Sequence, residues 1–169
     1  MMMASYHGAL LKGTAQQTFE YFSSVSEVGI PIMGQDAPLS GVGLPTSLLE
    51  QMAREIEMVK LFMIDCPRAA NKIRELIALG CNLIESPFDG EEAITLLADL
   101  DAGAMGTMTS GMIVDQIKPA LTAFHGGHID KATKAYGRVA MVLNHENRQC
   151  GRQSCKAAMV ASNVIKSDF

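Results

Sequence analysis

The sequence predicts an α/β fold in which short parallel strands alternate with amphipathic helices. Three observations carry that expectation. First, Asn82–Ile113 orders an apolar run, a turn, an amphipathic stretch, a Gly-bearing stop and a second apolar run. That is the order of a βαβ unit. Second, the same alternation recurs along the chain with a period of roughly 25–30 residues, the range of successive βαβ units. Third, 169 residues that are 48% hydrophobic and 19% charged can bury a core and do not describe a disordered chain.

Taken in order, Met1–Ser5 is apolar and runs into Tyr6–His7–Gly8 as a strand end runs into its loop. Thr14–Val28 is a helix with Phe19, Phe22 and Val25 on one face. Gly29–Met33 is a strand, followed by the Gly-, Pro- and Asp-bearing loop Gly34–Gly43. Pro45 fits the first turn of a helix whose stripe is Leu48, Leu49, Met52, Ala53 and Ile56. Met58–Ile64 is a strand ending in Asp65–Cys66–Pro67, and Pro67 opens a helix carrying Ala70, Ile73, Leu76 and Ile77 as far as Gly80.

Within the central unit, Asn82–Ser86 is a strand, Pro87–Gly90 a turn and Glu91–Leu100 a helix. Asp89 is expected to cap that helix, with Glu91 and Glu92 at the positive end of its dipole. Gly103 suits the residue just past the helix end, and Ala104–Met108 is the second strand. Both strands are apolar on both faces, as buried parallel strands are. Three helices follow: Val114–Phe124, halted by Gly126–Gly127, then Ile129–Asn144 and Cys155–Val164. No GxGxxG follows the first strand, and the alternation alone fits a (β/α)8 barrel and a doubly wound open sheet equally well.

The net charge of −4 and a pI near 5.5 argue against nucleic acid or an anionic membrane as partner. No apolar run reaches the ~18 residues of a membrane span, and the start lacks the basic and apolar regions of a secretory signal. Cys66, Cys81, Cys150 and Cys155 form no CxxC pair and are expected to be reduced, cytoplasmic thiols. His7, His125, His128 and His145 are scattered and are not expected to build a metal cluster with them.

Several ordered stretches carry a family resemblance. Ile30–Pro45 (IPIMGQDAPLSGVGLP), Phe62–Pro67 (FMIDCP), Ser86–Ala93 (SPFDGEEA) and Ala102–Gly111 (AGAMGTMTSG) resemble the C-terminal half of the dihydrodipicolinate synthase/N-acetylneuraminate lyase family. Ser5–Gly8, Phe88–Gly103, Asn147–Gly151 (NRQCG) and Ile165–Asp168 (IKSD) bring the fit to its branch of 2-keto-3-deoxy sugar acid dehydratases. The resemblance covers nearly the whole chain. It implies a partial (β/α)8 TIM barrel, from the end of strand four to strand eight, over residues 1–124, with a C-terminal helical extension over 125–169. A full barrel runs to about 250 residues. Strands one to three, with the family's glycine-rich carboxylate loop, have no counterpart in the 169 residues.

The implied chemistry is that of a class I lyase. A lysine at the end of strand six forms a Schiff base with the keto carbon of a small 2-keto acid, so that a proton can leave C3 and water can be eliminated. No metal or other cofactor is implied. Aligned on Phe62–Asp65, Met63 stands where the lysine belongs, and Lys60, three residues earlier, is the one other lysine candidate on that strand. Side chains alternate along a strand, so Lys60 and Met63 are expected on opposite faces.

Tyr6 matches the aromatic residue at the active-site mouth, and Gln35 stands where many relatives carry an acid/base tyrosine. Glutamine can orient a carbonyl or water but cannot relay a proton as tyrosine does. Asp65, Glu85 and Ser86 are expected at the ends of strands six and seven, where barrel catalytic residues gather. Gly106, Thr109 and Ser110 are expected near the end of strand eight as substrate contacts. The chain alone is expected to be inactive, and the alternative role is a non-catalytic half barrel. Open edges and inward residues Ile32, Leu61, Met63, Ile84 and Met105 then favour a homo-oligomer or docking onto a separate N-terminal half.

Overall fold

The computed structural model describes residues 2–5 (backbone only), 13–38, 43–80, 83–85 and 87–167. They divide into two compact units, residues 1–91 with 95–107, and residues 92–94 with 108–169. The first unit is a five-stranded parallel sheet: β1 (Met2–Ser5), β2 (Ile32–Asp36), β3 (Val59–Ile64), β4 (Pro87–Asp89) and β5 (Gly106–Thr107). The strands lie in sequential order, β1-β2-β3-β4-β5. A doubly wound sheet reverses its strand order at a switch point, whereas a barrel does not. The order therefore decides between the two architectures that the alternation left open.

Helices α1 (Ala15–Ser26), α2 (Thr46–Glu55), α3 (Ala69–Gly80) and α4 (Leu96–Asp101) connect the strands. Thr14 starts α1 through a capping box in which its side chain accepts from the Gln17 backbone and Gln17 returns the bond. Phe22 of α1, Leu49 and Met52 of α2, and Ile73 and Leu76 of α3 bury against Ile32, Val59, Phe62 and Ile64 of the sheet. Gly34 lets β2 fit beneath this layer, since a Cβ there would stand 3.1 Å from the Phe62 ring and 3.6 Å from Phe22. Ile32 and Ile84 belong to this helix-side core, which corrects the expectation that they point inward. The alternation runs one residue out of the expected phase, so Met33, not Ile32, shares a face with Leu61 and Met63. Met63 is 5% exposed, so it does not face water as expected, and Met33 beside it on that face is 1% exposed, whereas Met105 is 54% exposed.

The central unit differs from its sequence reading by a few residues. Of the strand expected at Asn82–Ser86, residues 83–85 are not strand and Asn82 and Ser86 lie outside the described residues, while the expected turn Pro87–Gly90 contains β4 itself. Proline lacks an N–H but is tolerated at the first residue of a strand. The following helix is short: residues 92–95 form turns, and α4 ends at Asp101 with Gly103 just beyond at φ +103°. Glu92 and Ala93 take left-handed φ values of +53° and +71°, which break the helical path expected from Glu91. The second strand shrinks from Ala104–Met108 to Gly106–Thr107.

The second unit contains α5 (Val114–His125), α6 (Ile129–Gly137), α7 (Ala140–His145), a π-helical turn (Glu146–Cys150) and α8 (Arg152–Ala161). The single helix expected over Ile129–Asn144 is thus broken after Gly137, and α5 groups with the C-terminal helices. Among the described residues no helix is long and apolar enough to cross a membrane.

Candidate active site

In a parallel barrel the reactive groups collect at the C-terminal strand ends. Here two rows of side chains cross the sheet at that end. The row away from the helices is Gln35, Met63, Phe88 and Gly106, each in register with the next, and Ser5 of β1 pairs with Gln35. Gln35 and Phe88 are half-buried and Met63 is buried. A Cβ on Gly106 would lie 3.1 Å from the Phe88 ring, so the ring fills the space that this glycine leaves. The Gln35 amide and the Met63 thioether are thus register neighbours, and neither is a nucleophile for a carbonyl carbon.

The next row, Asp36, Ile64, Asp89 and Thr107, faces the helices and carries two buried carboxyl groups. Asp36, fully buried at the end of β2, accepts from Leu44 N at 2.8 Å and from Lys72 Nζ at 2.6 Å. Lys72 also donates to Leu44 O at 2.5 Å, so one ion pair ties the loop after β2 to α3. Asp89, fully buried at the end of β4, accepts from Glu91 N at 2.9 Å and from the Thr107 hydroxyl at 2.7 Å. It is a strand-end acceptor rather than the helix cap expected of it. Asp99 of α4 is also fully buried and accepts from the Thr95 hydroxyl at 2.5 Å. Burial pushes the Asp99 carboxyl up to about 6, with the Asp89 and Glu91 carboxylates adding to the rise and the Thr95 hydrogen bond opposing it.

Asp65 follows β3, half-buried, and its N–H donates to Asp36 O at 2.8 Å. Beside it a cleft of about 410 Å³ opens between the loops after β2 and β3, lined by Thr46, Cys66, Arg68, Asn71 and Lys72 among others. Burial, with the Asp36 charge adding to it, pushes the Cys66 thiol up to about 11. It stays protonated at neutral pH and is not a nucleophile.

Lys60 lies on the helix-facing side, where its Nζ donates 2.5 Å to Ala53 O near the end of α2. An ammonium there meets the negative end of the helix dipole. Glu85 does not end a strand: it precedes β4, exposed, and its N–H donates to Lys60 O near the start of β3. That puts it at the N-terminal end of the sheet, opposite the expected place, because the strand starts later than the apolar run does. Tyr6 and Ser86 lie outside the described residues.

In the second unit, Thr109 Oγ1 lies 3.5 Å from Glu92 O, and the Ser110 hydroxyl accepts from Met112 N at 3.1 Å. Asn147 donates to Glu92 Oε2 at 2.8 Å. Cys150 Sγ lies 3.1 Å from His145 Nε2 across the π-helical turn, a pairing that the scatter of histidines in sequence did not suggest.

A sequentially ordered parallel sheet with its polar groups at the C-terminal strand ends defines the (β/α)8-barrel class, and known proteins narrow it. No family model matches the chain. It is 52% identical over 169 residues to L-2-keto-3-deoxyarabonate dehydratase of Azospirillum brasilense, a match covering 99% of this chain and 55% of that protein. Dihydrodipicolinate synthase from Rhodopseudomonas palustris matches its fold with a TM-score of 0.86 at 19% identity, over 99% of this chain and 57% of that one. N-acetylneuraminate lyase from Proteus mirabilis does so with a TM-score of 0.79 at 12% identity, over 96% and 56%. The chain is similar in sequence to the C-terminal half of this dehydratase, and its fold matches the C-terminal half of the TIM barrel of dihydrodipicolinate synthase and N-acetylneuraminate lyase, with the extra helices. It spans about half the length of these relatives.

Proposed function

We propose that the chain is the C-terminal half of a Schiff-base lyase for a 2-keto-3-deoxy sugar acid and that these residues alone do not turn substrate over. The 52% identity to the Azospirillum dehydratase carries the substrate class. In that chemistry a lysine amine condenses with the 2-keto carbon and releases water. The protonated imine accepts the electron pair left when C3 loses its proton, and that pair then expels the neighbouring hydroxyl as water. Gln35 would orient the carbonyl or a water, and Asp65 and Gly106 would contribute substrate contacts. The amine is the missing part. Met63 occupies its aligned place, and Lys60, bonded to Ala53 O, serves as a helix-terminal cation instead of the nucleophile. No cofactor enters this reading, and a cytoplasmic setting suits the free thiols Cys66, Cys150 and Cys155.

The test is incubation with pyruvate and borohydride followed by intact mass measurement. An unchanged mass is expected, and a reduced pyruvate adduct mapped to Lys60 would overturn the inactive reading. A second reading, a non-catalytic half barrel that pairs with itself or with a separate N-terminal half, is favoured by the edges of the sheet. Among the described residues, β1 pairs only with β2 and β5 only with β4.

A further inference from the structure

The second unit contains a buried carboxylate with one oxygen that no donor reaches among the described residues. Glu146, at the start of the π-helical turn, is 4% exposed, and among the described residues its Oε2 has no hydrogen-bond partner. A carboxylate oxygen removed from water without a donor is strongly disfavoured, so each such atom calls for a proton, a water or a cation. A second carboxylate faces it. Glu92 is half-buried, and burial together with the Glu146 charge pushes its carboxyl up, while the Asn147 hydrogen bond and the Arg148 charge oppose the rise. Two carboxylates brought together out of water repel unless something positive lies between them.

The surrounding loop is held in place for this encounter. Glu92 and Ala93 both have left-handed backbones, at φ +53° and +71°. The Tyr136 hydroxyl lies 2.9 Å and 2.5 Å from the carbonyl oxygens of Ala93 and Ile94, and Asn147 Nδ2 donates 2.8 Å to Glu92 Oε2. That last bond uses the amide nitrogen of Asn147 and leaves its oxygen as a further hard donor. Strained backbone persists where surrounding contacts over-determine it, and such places cluster at ligand sites. A π-helical turn at the same position is of the same kind.

We propose that Glu92 and Glu146, with the amide oxygen of Asn147, hold a hard divalent cation such as Mg²⁺ or Ca²⁺. The donors are all oxygen, which selects hard ions over Zn²⁺ or Cu²⁺. Among the described residues no group of three or more His, Cys, Asp or Glu is placed to hold a metal. Two carboxylates are nevertheless sufficient for an ion such as Mg²⁺ that keeps several of its waters. The cation would fix the strained Glu92–Ile94 loop to the π-helical turn. This does not depend on the lyase reading, because the site needs neither an imine nor a keto acid.

The experiment uses the full chain, freed of metal by a chelator and dialysed. Melting is followed against MgCl2, CaCl2 and NaCl at matched ionic strength, and Mn²⁺ binding is followed by electron paramagnetic resonance. The expected result is a saturable rise in Tm with the divalent ions only, and immobilisation of one Mn²⁺ per chain. Both should be lost in Glu146→Gln and in Glu92→Gln. Each variant is isosteric, and circular dichroism confirms its fold. The metal-free Glu146→Gln protein should also melt higher than the metal-free parent, because it no longer buries an unbalanced charge. No saturable response in the parent would overturn the proposal. So would an unchanged response in Glu146→Gln, or a Tm that rises on acidification yet ignores every divalent ion.

Discussion

Asp99 shows what a single buried side chain does to this fold. Its carboxyl ordinarily titrates at 3.8, and burial together with the Asp89 and Glu91 carboxylates lifts it to about 6. The folded state therefore holds this proton more tightly than the unfolded chain does. The resulting stabilisation is complete below about pH 4 and is lost as pH rises through about 6. The rise corresponds to about 3 kcal/mol. Asp99→Asn keeps an acceptor for Thr95 and a donor toward Asp89 but cannot ionise. Urea unfolding from pH 4 to 8 should show the parent losing about 3 kcal/mol relative to this variant, with the variant the more stable above pH 6. A constant difference across that range would show that Asp99 does not titrate there. None of this was legible in the residues themselves. LLADLD reads as one amphipathic turn, and only the fold shows that its Asp99 lies inside.

Elements were more legible than their ends. The helices α1, α2 and α3 fall where their apolar stripes put them, since a stripe of several residues averages over local noise. The strand β4 was displaced because Asn82–Ser86 is apolar and β-prone while the pairing segment, Pro87–Asp89, contains a proline and an aspartate. Its partner contacts decide the matter: Gly90 packs so closely that a Cβ would stand 2.6 Å from Asp65 Cβ. Such close approaches between strand ends leave no periodic trace in sequence. The connection between β2 and α3 was likewise hidden. Lys72 lies outside the apolar stripe of Ala70, Ile73, Leu76 and Ile77 expected for α3, yet it supplies the charge that permits Asp36 to be fully buried. Lys72→Met should strand that aspartate and cost about 3–5 kcal/mol in urea unfolding. Adding Asp36→Asn should return most of the loss, because the uncompensated charge disappears. If Lys72→Met alone costs less than about 1 kcal/mol, the pair is not holding the loop.

At the scale of the molecule, the sequential five-stranded sheet has two edges that a closed barrel would not have. Among the described residues β1 and β5 each have one partner, so each offers a free row of backbone donors and acceptors. The inward face contributes less to this instability than its composition suggests, because Met33 and Met63 are already covered. Leu61 is half-buried, and Met105, just before β5, is 54% exposed. Covering a side chain of that size is worth about 1.5–3 kcal/mol. A few such gains, added to edge pairing, compare with the ~5–15 kcal/mol by which domains are stable. Pairing two copies across a two-fold axis would satisfy both the edges and the apolar margin, and isologous dimers are the commonest oligomers. The chain studied alone should therefore self-associate. Sedimentation equilibrium at micromolar concentration should give a mass above 18.1 kDa that rises with loading concentration. Replacing Met105 by lysine at the exposed margin should shift that equilibrium toward monomer while the far-UV circular dichroism is kept. A soluble species that stays at 18.1 kDa across the concentration range would show that the two edges are protected within the single chain.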